Sequence, residues 1–336
     1  MSIIKSVKNQ FKKNEAGKTI DRRAIFHVLS RLIVSLVIAL VLIGLSYIIL
    51  YPLIYCVSFA IRDPIDVYDS TIILIPKHFT WSNFFEAWNF MDFGTALINT
   101  FNTAVWPTLL QVVVCSLAGY GLARFKFRGK GLLFMLLVFT MIVPPQTINI
   151  TLYVSFRYFD PLAMFTGMNS IGLMPEPYVD LTSTLWSVVL PALFAAGIRS
   201  GLFVFIYRQF FSSFPKELEE AACIDGCGAI GTFVRILVPN AGPAFTTVFL
   251  FCLVWYWNDY YTIPLFMPEL ETLPAVMDSM RSNLTASDSE YAGTNKNELF
   301  PIWRAGIVLY IAPLFILFVS LQKRFVESIT RAGIVG

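Results

Sequence analysis

The sequence predicts an all-α integral membrane protein, and composition, apolar run length and apolar continuity each support this class. Of 336 residues, 56% are hydrophobic and only 14% are charged, whereas soluble domains carry about 25% charged residues. Because the apolar runs are continuous rather than alternating, they predict spanning helices and not the strands of a barrel. Six uncharged runs are long enough to cross a bilayer, at residues 32–61, 93–123, 131–156, 181–198, 236–258 and 305–322.

The distribution of basic residues predicts that both termini are cytoplasmic. If the amino terminus is inside, the inside segments carry 18 Lys and Arg and the outside segments carry six, with Arg199 near the fourth run. This is the asymmetry of the positive-inside rule. The predicted organisation is a cytoplasmic basic tail, a six-span domain with three outer loops, and a cytoplasmic carboxyl-terminal tail, at residues 1–31, 32–322 (outer loops 63–92, 157–180 and 265–301) and 323–336.

Several function classes are disfavoured by what the sequence contains. The five cysteines are an odd number and scattered, so they indicate neither a disulfide framework nor a zinc site. No phosphate-binding GxxxxGK[ST] loop occurs, so ATP has no site on this chain. The basic tail is better explained by anionic lipid beside the first span than by nucleic acid. We therefore expect no metal, no bound cofactor and no nucleic acid.

One inside segment, residues 212–241, differs from the other loops. Pro215 and the glutamates that follow suit the start of a short helix. Gly226 permits the left-handed conformation that often ends a helix. A second short helix is predicted from about Ile230 to Val238, stopping at Pro239. The segment should therefore fold as a helix, a bend at a glycine and a second helix.

This segment contains Glu220-Ala221-Ala222, then Asp225-Gly226, then Phe233, Ile236 and Pro239. The string resembles the EAA signature of permeases in binding-protein-dependent ABC transporters. The likeness extends to the string Ala118–Lys130, the Val143-Pro144-Pro145 break, Trp257–Tyr260 and the tail Gln322–Gly336, which are similar to the maltose-type, six-span sugar permeases. The resemblance implies the ABC type I importer permease fold and a coupling helix that docks on an ATPase. The implied coupling residues are Glu219, Glu220, Ala221, Ala222, Asp225, Gly226, Phe233, Ile236 and Pro239.

The same resemblance implies a function and a set of partners. The chain would form half of the pathway of an ATP-driven carbohydrate importer, for an oligosaccharide or other sugar, in the bacterial cytoplasmic membrane. It would not be an enzyme, because ATP and Mg²⁺ would bind a separate subunit. The implied partners are a second permease subunit, two ABC ATPase subunits, and an extracellular or periplasmic sugar-binding protein.

Polar and aromatic residues within or beside the spans are candidates for contact with the transported solute. A sugar needs hydrogen-bond partners and flat aromatic faces, although the amides could equally join helices and the aromatic cluster could be an interfacial belt. The candidates are Asn99, Asn102, Gln111, Gln146, Asn149, Trp255, Trp257, Asn258 and Asp259.

Arg199 has two interpretations at this stage. It marks the inner end of the fourth span if that span is 181–198, or it is an intramembrane charge and a pathway candidate if the helix continues to Tyr207. Gly197 and Gly201 beside it have the spacing of close helix packing.

The sequence leaves three alternative functions to consider, two of which it disfavours. The same architecture could import a non-sugar solute such as a polyamine, a peptide or a phosphate-containing compound. A membrane-bound enzyme is disfavoured because the only histidines are His27 and His78, one in the tail and one outside. An ion channel is disfavoured because rings of charge and a carbonyl filter sequence are lacking.

Overall fold

The computed structural model describes residues 22–160, 164–170, 178–286, 289 and 291–333. Most of the predicted basic tail and the last three residues of the predicted carboxyl-terminal tail therefore lie outside the described residues. So do parts of the second and third predicted outer loops. The chain divides after Ser58 into two units.

The described part of the first unit is a single long helix, α1 (Arg22–Ala60), whose last two residues belong to the second unit. Its most apolar 18-residue window contains no buried residue. Ile48, for example, is 68% exposed. A continuous apolar surface of this length is stable in hydrocarbon and unstable in water. The helix is therefore suited to contact with lipid.

The second unit is also built of helices, and the described residues include no β-strand, only two isolated bridges. This confirms the predicted all-α class. The helices are α2 (Ser82–Phe90), α3 (Phe93–Arg124), α4 (Lys130–Ile142), α5 (Pro145–Arg157), α6 (Met164–Ser170), α7 (Trp186–Leu193), α8 (Ser200–Ser213), α9 (Glu217–Ile224), α10 (Ala229–Thr232), α11 (Val238–Asn240), α12 (Gly242–Trp257), α13 (Thr262–Phe266), α14 (Leu273–Leu284) and α15 (Phe300–Gly333).

The described helices account for three to five membrane spans by length and composition. Helices α1, α3 and α15 are each long and apolar enough to cross a bilayer. Helices α4 and α5 meet the same condition as a pair bent by 102°, and α10 to α12 meet it with a bend of 80°. Each bent pair counts as one span only if the chain crosses through the bend. Five of the six predicted runs are thus matched by such helices.

The fourth predicted run, 181–198, does not form one helix. Within it only α7 is helical, and the chain then breaks over 194–199 before α8 begins at Ser200. Ala195 and Arg199 adopt positive φ angles of 52° and 54°, which a continuing helix does not allow. Both helix boundaries considered for Arg199 were therefore wrong, because the residue lies in a break between two helices. Its role as a pathway candidate depends on neither boundary.

The bend between α4 and α5 has a local cause in the sequence. Pro144 has no N–H to continue α4 and disfavours helical geometry at Val143, which is extended at φ −69° and ψ 125°. Pro145 then occupies the first turn of α5, where a missing N–H costs nothing. The Val143-Pro144-Pro145 sequence thus ends one helix and starts the next.

The centre of the second unit is the packing of α3 against α7, α8 and α12. At the crossing of α3 and α8, Gly119 faces Tyr207, whose side chain is fully buried. A Cβ atom at position 119 would lie 2.5 Å from the Tyr207 Cβ and 3.0 Å from the Arg208 backbone nitrogen. The two helices can approach this closely only because residue 119 has no side chain.

Gly197 and Gly201 also stand at close approaches, as predicted for packing. A Cβ at Gly201 would overlap the Thr140 hydroxyl of α4, and one at Gly197 would overlap the Gln111 and Tyr256 side chains. The two glycines therefore face different neighbours and do not form one helix-pairing stripe.

Replacing Gly119 with alanine should destabilise the protein by about 1–3 kcal/mol, because the added methyl group overpacks the α3–α8 crossing. The matched control is Gly121→Ala on the same helix, where the nearest atom to an added Cβ is 3.9 Å away. Thermal unfolding of the purified protein in detergent measures both. Equal unfolding midpoints for the two variants would contradict this account of the crossing.

Candidate functional site

The segment from α9 to α11 forms a helical elbow, defined here as residues 217–240. Helix α9 ends at Ile224 and is followed by Gly226, whose φ is +80°. The Cys227 N–H donates to the Ala222 carbonyl at 2.9 Å and the Gly226 N–H donates to the Cys223 carbonyl at 3.1 Å. These are the two bonds of a Schellman cap, which requires a left-handed residue at this position. The predicted helix, glycine bend and second helix are confirmed.

The second helix of the elbow differs from the prediction at its end. It begins at Ala229, widens to a π-helical turn at Phe233–Leu237 and continues through Pro239 to Asn240. The predicted stop at Pro239 is therefore wrong. The π-helical turn changes the backbone hydrogen-bond pattern just before Pro239. The proline therefore falls in the first turn of α11, where its missing N–H is tolerated.

One face of the elbow is anchored on α3 and α8. Phe233 is buried with its ring 5.0 Å from that of Tyr120 and 5.9 Å from that of Phe211. Glu219 and Arg124 form an ion pair with 2.9 Å between Oε1 and Nε, at ion-pair distance but without hydrogen-bond alignment. The anchoring contacts therefore come from the carboxyl-terminal ends of α3 and α8.

Arg124 also joins the elbow to the chain that precedes it. Its guanidinium donates to the Phe214 carbonyl at 2.6 Å. Sequence reasoning placed Arg124 in a family-like string but assigned it no role, because its partners lie 90 and 95 residues further along the chain.

The elbow also exposes large apolar side chains away from its anchoring contacts. Ile224 is 86% exposed and Ile230 is 79% exposed, and Leu218 and Val234 are also exposed. Solvated helices rarely present so many branched aliphatic groups together, and such a patch is typical of a surface that another protein covers. We call these four residues the outer face of the elbow.

The predicted coupling residues divide between the two faces. Ala222 and Phe233 are buried, and Glu219 and Ile236 are half-buried, so these four lie on the packed side of the elbow. The remaining residues are exposed and available to a partner: Glu220, Ala221, Asp225, Gly226 and Pro239.

A cavity of about 470 Å³ lies where the helix breaks meet. Its wall includes Val143 and Pro145 from the α4–α5 bend, the whole segment 195–202 around the α7–α8 break, and Trp255 from the end of α12. Helices with interrupted backbone hydrogen bonding are tolerated at membrane depth when they line a cavity or are covered by protein. The volume is within the range of small-ligand sites.

Gln111 holds the break between α7 and α8 from behind the cavity wall. Its amide donates to the Ile198 carbonyl at 2.7 Å and to the Ser200 hydroxyl at 2.9 Å. Tyr256 donates its hydroxyl proton to the Gln111 Oε1 at 2.6 Å. Gln111 is fully buried and does not line the cavity. Its geometry is that of a structural clamp, one of the roles left open for the amides.

Three of the predicted pathway residues line the cavity: Asn149, Trp255 and Asp259. The Asn149 amide donates to the Thr262 hydroxyl at 3.1 Å. Asp259 is buried and accepts from the Tyr261 and Thr262 backbone N–H groups through one carboxylate oxygen, so it caps α13. Trp255 packs on Phe203 with ring centroids 5.6 Å apart.

The other predicted pathway residues lie elsewhere. Asn99 donates to the Glu271 carbonyl at 2.8 Å, Asn258 accepts from the Tyr310 hydroxyl, and Trp257 is buried. Asn102 is half-buried and Gln146 is exposed. None of these five lines the cavity. The structure thus brings only a third of the candidates to the cavity. The sequence does not show which neighbour a polar side chain in a span faces.

Comparison with known proteins identifies the class. Residues 111–331 match the family described as binding-protein-dependent transport system inner membrane component. Because this match covers about two thirds of the sequence, the chain belongs to that family of ABC transporter permeases, which is a family of integral membrane proteins and not of enzymes.

Individual relatives and a solved structure agree with this assignment. The melibiose/raffinose/stachyose import permease protein MelC of Bacillus subtilis (strain 168) is 30% identical, over 78% of this chain and 84% of its own. The probable ABC transporter permease protein YurM of the same strain is 28% identical, over 86% and 84%. A bacterial ABC transporter structure described as importing alginate matches with a TM-score of 0.67 at 23% identity, covering 92% of this chain and 99% of that chain. At that identity the match supports the fold alone.

Replacing Gln111 with leucine should lower the free energy of unfolding by about 1–3 kcal/mol, because it leaves buried polar partners at Ile198 and Tyr256 without their bonds. Gln146→Leu is the control, since that side chain is exposed. Thermal unfolding in detergent compares the two variants. A Gln111→Leu protein as stable as the control would show that the clamp does not hold the break.

Proposed function

We propose that this chain is a membrane-spanning subunit of a bacterial ABC importer for carbohydrates and that its elbow transmits the closure of a separate ATPase to the cavity. The observation that carries this proposal is the two-faced elbow, anchored inward through Phe233 and Glu219 and presenting Ile224 and Ile230 outward. Family membership supplies the context. A surface with both properties is suited to transmit force, since it is fixed on one side and unpartnered on the other.

The contacts of the elbow explain how such a force would reach the membrane helices. Phe233 packs on Tyr120 of α3 and Phe211 of α8, and Gln111 of the cavity clamp lies on α3 nine positions before Tyr120. At 1.5 Å rise per residue, this separation is about 13 Å along the helix. One continuous helix therefore connects the elbow to the cavity wall.

The proposed assembly contains this chain, a second permease subunit, two ABC ATPase subunits and an extracellular or periplasmic sugar-binding protein. Both termini and the elbow would face the cytoplasm, as the three-to-one excess of basic residues in those segments favours. ATP and Mg²⁺ would be held by the ATPase subunits. ATPase closure would move the elbows and open the pathway outward, and hydrolysis would reset it.

Carbohydrate is the favoured solute class. The cavity combines an aromatic face at Trp255 with polar groups at Asn149 and Asp259, as a sugar site requires. The relative MelC, named for import of melibiose, raffinose and stachyose, supports the same class. The pathway role of Asn149, Trp255 and Asp259 is part of this proposal.

Replacing Ile224 with glutamate should weaken recovery of the ATPase subunit about tenfold or more, because burial of an isoleucine contributes roughly 1.5–3 kcal/mol. The matched control is Ile75→Glu, where an isoleucine of similar exposure, 79%, lies in the predicted first outer loop. Affinity purification of the tagged permease with quantification of the ATPase measures both. Undiminished recovery with Ile224→Glu would remove the outer face from the contact.

Replacing Gly226 with valine should abolish ATP-driven uptake, because a β-branched residue at φ +80° strains the Schellman cap that sets the bend. Gly228→Val is the control, since Gly228 has an extended backbone at φ −72° and equally open space around its Cα. Uptake of a saccharide panel into proteoliposomes containing the whole transporter, with ATPase activity measured in parallel, compares the two. Uptake in Gly226→Val that matches Gly228→Val would refute the coupling role of the bend, and absence of saccharide uptake in the parent would refute carbohydrate as the solute.

A further inference from the structure

Arg199 occupies an unusual position in the wall of the cavity. It lies in the break between α7 and α8, at φ 54° and ψ 23°, and it lines the cavity with an exposed side chain. A left-handed conformation costs a residue with a Cβ roughly 1–2 kcal/mol, and glycine avoids this cost. Glycines stand two positions before and after, at Gly197 and Gly201, yet the strained position itself carries an arginine.

Most other polar side chains in the cavity wall already donate their protons within the protein. Hydroxyl and amide donors bond to backbone carbonyls or to neighbouring side chains, which leaves them little capacity to bind a ligand as donors. These bonds are Thr140 to the Leu137 carbonyl, Ser187 to the Thr184 carbonyl, Ser200 to the Gly197 carbonyl, Asn149 to the Thr262 hydroxyl, and Tyr256 to Gln111.

The Arg199 guanidinium differs from these groups because its donors are unused. Among the described residues, no acceptor hydrogen-bonds to this side chain and no carboxylate forms an ion pair with it. Its contact is the ring of Trp255, with the guanidinium carbon 5.7 Å from the ring centroid. Asp259 lines the same cavity, but it is only 8% exposed and its Oδ1 is engaged by two backbone N–H groups. The accessible charge in the cavity is therefore positive.

We infer that this cavity binds an acidic saccharide, with Arg199 pairing the anionic substituent and Trp255 contacting the sugar ring. The inference rests on the proposed function and narrows its solute class. The planar fork of a guanidinium matches a carboxylate, sulfate or phosphate group bidentately, and the adjacent indole offers the flat apolar face that a pyranose ring covers. A cavity of about 470 Å³ accommodates a ligand of that size.

A neutral sugar fits this arrangement less well. It offers no anionic group to the Arg199 guanidinium, the accessible charge in this cavity. An acidic group supplies that partner and uses donors that the protein does not satisfy itself. The cavity should therefore bind a sugar that carries a carboxylate much more tightly than the same sugar without it.

The test measures the unfolding midpoint of the purified transporter complex as a function of ligand concentration, since a ligand that binds the native state raises it. The probes are glucuronate, glucose and acetate at matched ionic strength. The variants are Arg199→Gln and Arg199→Gly, the second of which should fold without backbone strain. The matched control is Arg281→Gln, because Arg281 is also exposed and lies 5.6 Å from the ring of Trp303, outside this cavity.

Glucuronate should stabilise the parent and Arg281→Gln more than glucose or acetate does, and its apparent affinity should fall about tenfold or more in both Arg199 variants. Equal stabilisation by glucose and glucuronate, retained without Arg199, would overturn the acidic class and leave carbohydrate import standing. Equal effects of acetate and glucuronate would show a simple anion site. Stabilisation by neither sugar, or loss of the second permease subunit from the Arg199 variants, would also overturn the inference. The uptake assay decides the proposed function separately.

Discussion

Backbone hydrogen bonding inside an apolar layer is the constraint on which the structure of this permease depends. Where α7 stops and α8 starts, carbonyl and N–H groups lose their helical partners and must find others. Gln111 donates to the Ile198 carbonyl, and the Asp259 carboxylate accepts from two N–H groups at the start of α13. Both of these breaks are therefore paired with a buried polar side chain. The cavity exists because such breaks converge there.

The elbow and the all-α class could be predicted because their determinants are local. Gly226 follows a run of helix formers, and only a left-handed residue completes the cap observed there. The Val143-Pro144-Pro145 bend is equally local, since proline restricts its own φ and the residue before it. The membrane-spanning runs could be found from their length and apolar composition alone. None of these features depends on contacts with distant parts of the chain.

The cavity could not be predicted, because tertiary contacts decide it. Positive φ at Ala195 and Arg199 carries no glycine signal, so the interrupted fourth run read as continuous. Whether an amide faces a cavity or clamps a carbonyl depends on partners far away in sequence. Gln111 meets residues 87 to 145 positions later, and Asn149 meets Thr262. These polar residues are visible in the sequence, but the neighbours that their side chains face are not.

The close approach at Gly119 has a mechanical consequence. Because residue 119 has no side chain, the α3 and α8 backbones approach closely at that crossing, where Tyr207 is fully buried. Joint movement of the two helices keeps this contact and carries Phe211 at one level and Gln111 at another. A displacement applied at one end of the pair then reaches the other end, and the flexibility that a transport cycle needs falls to the segments flanking the pair.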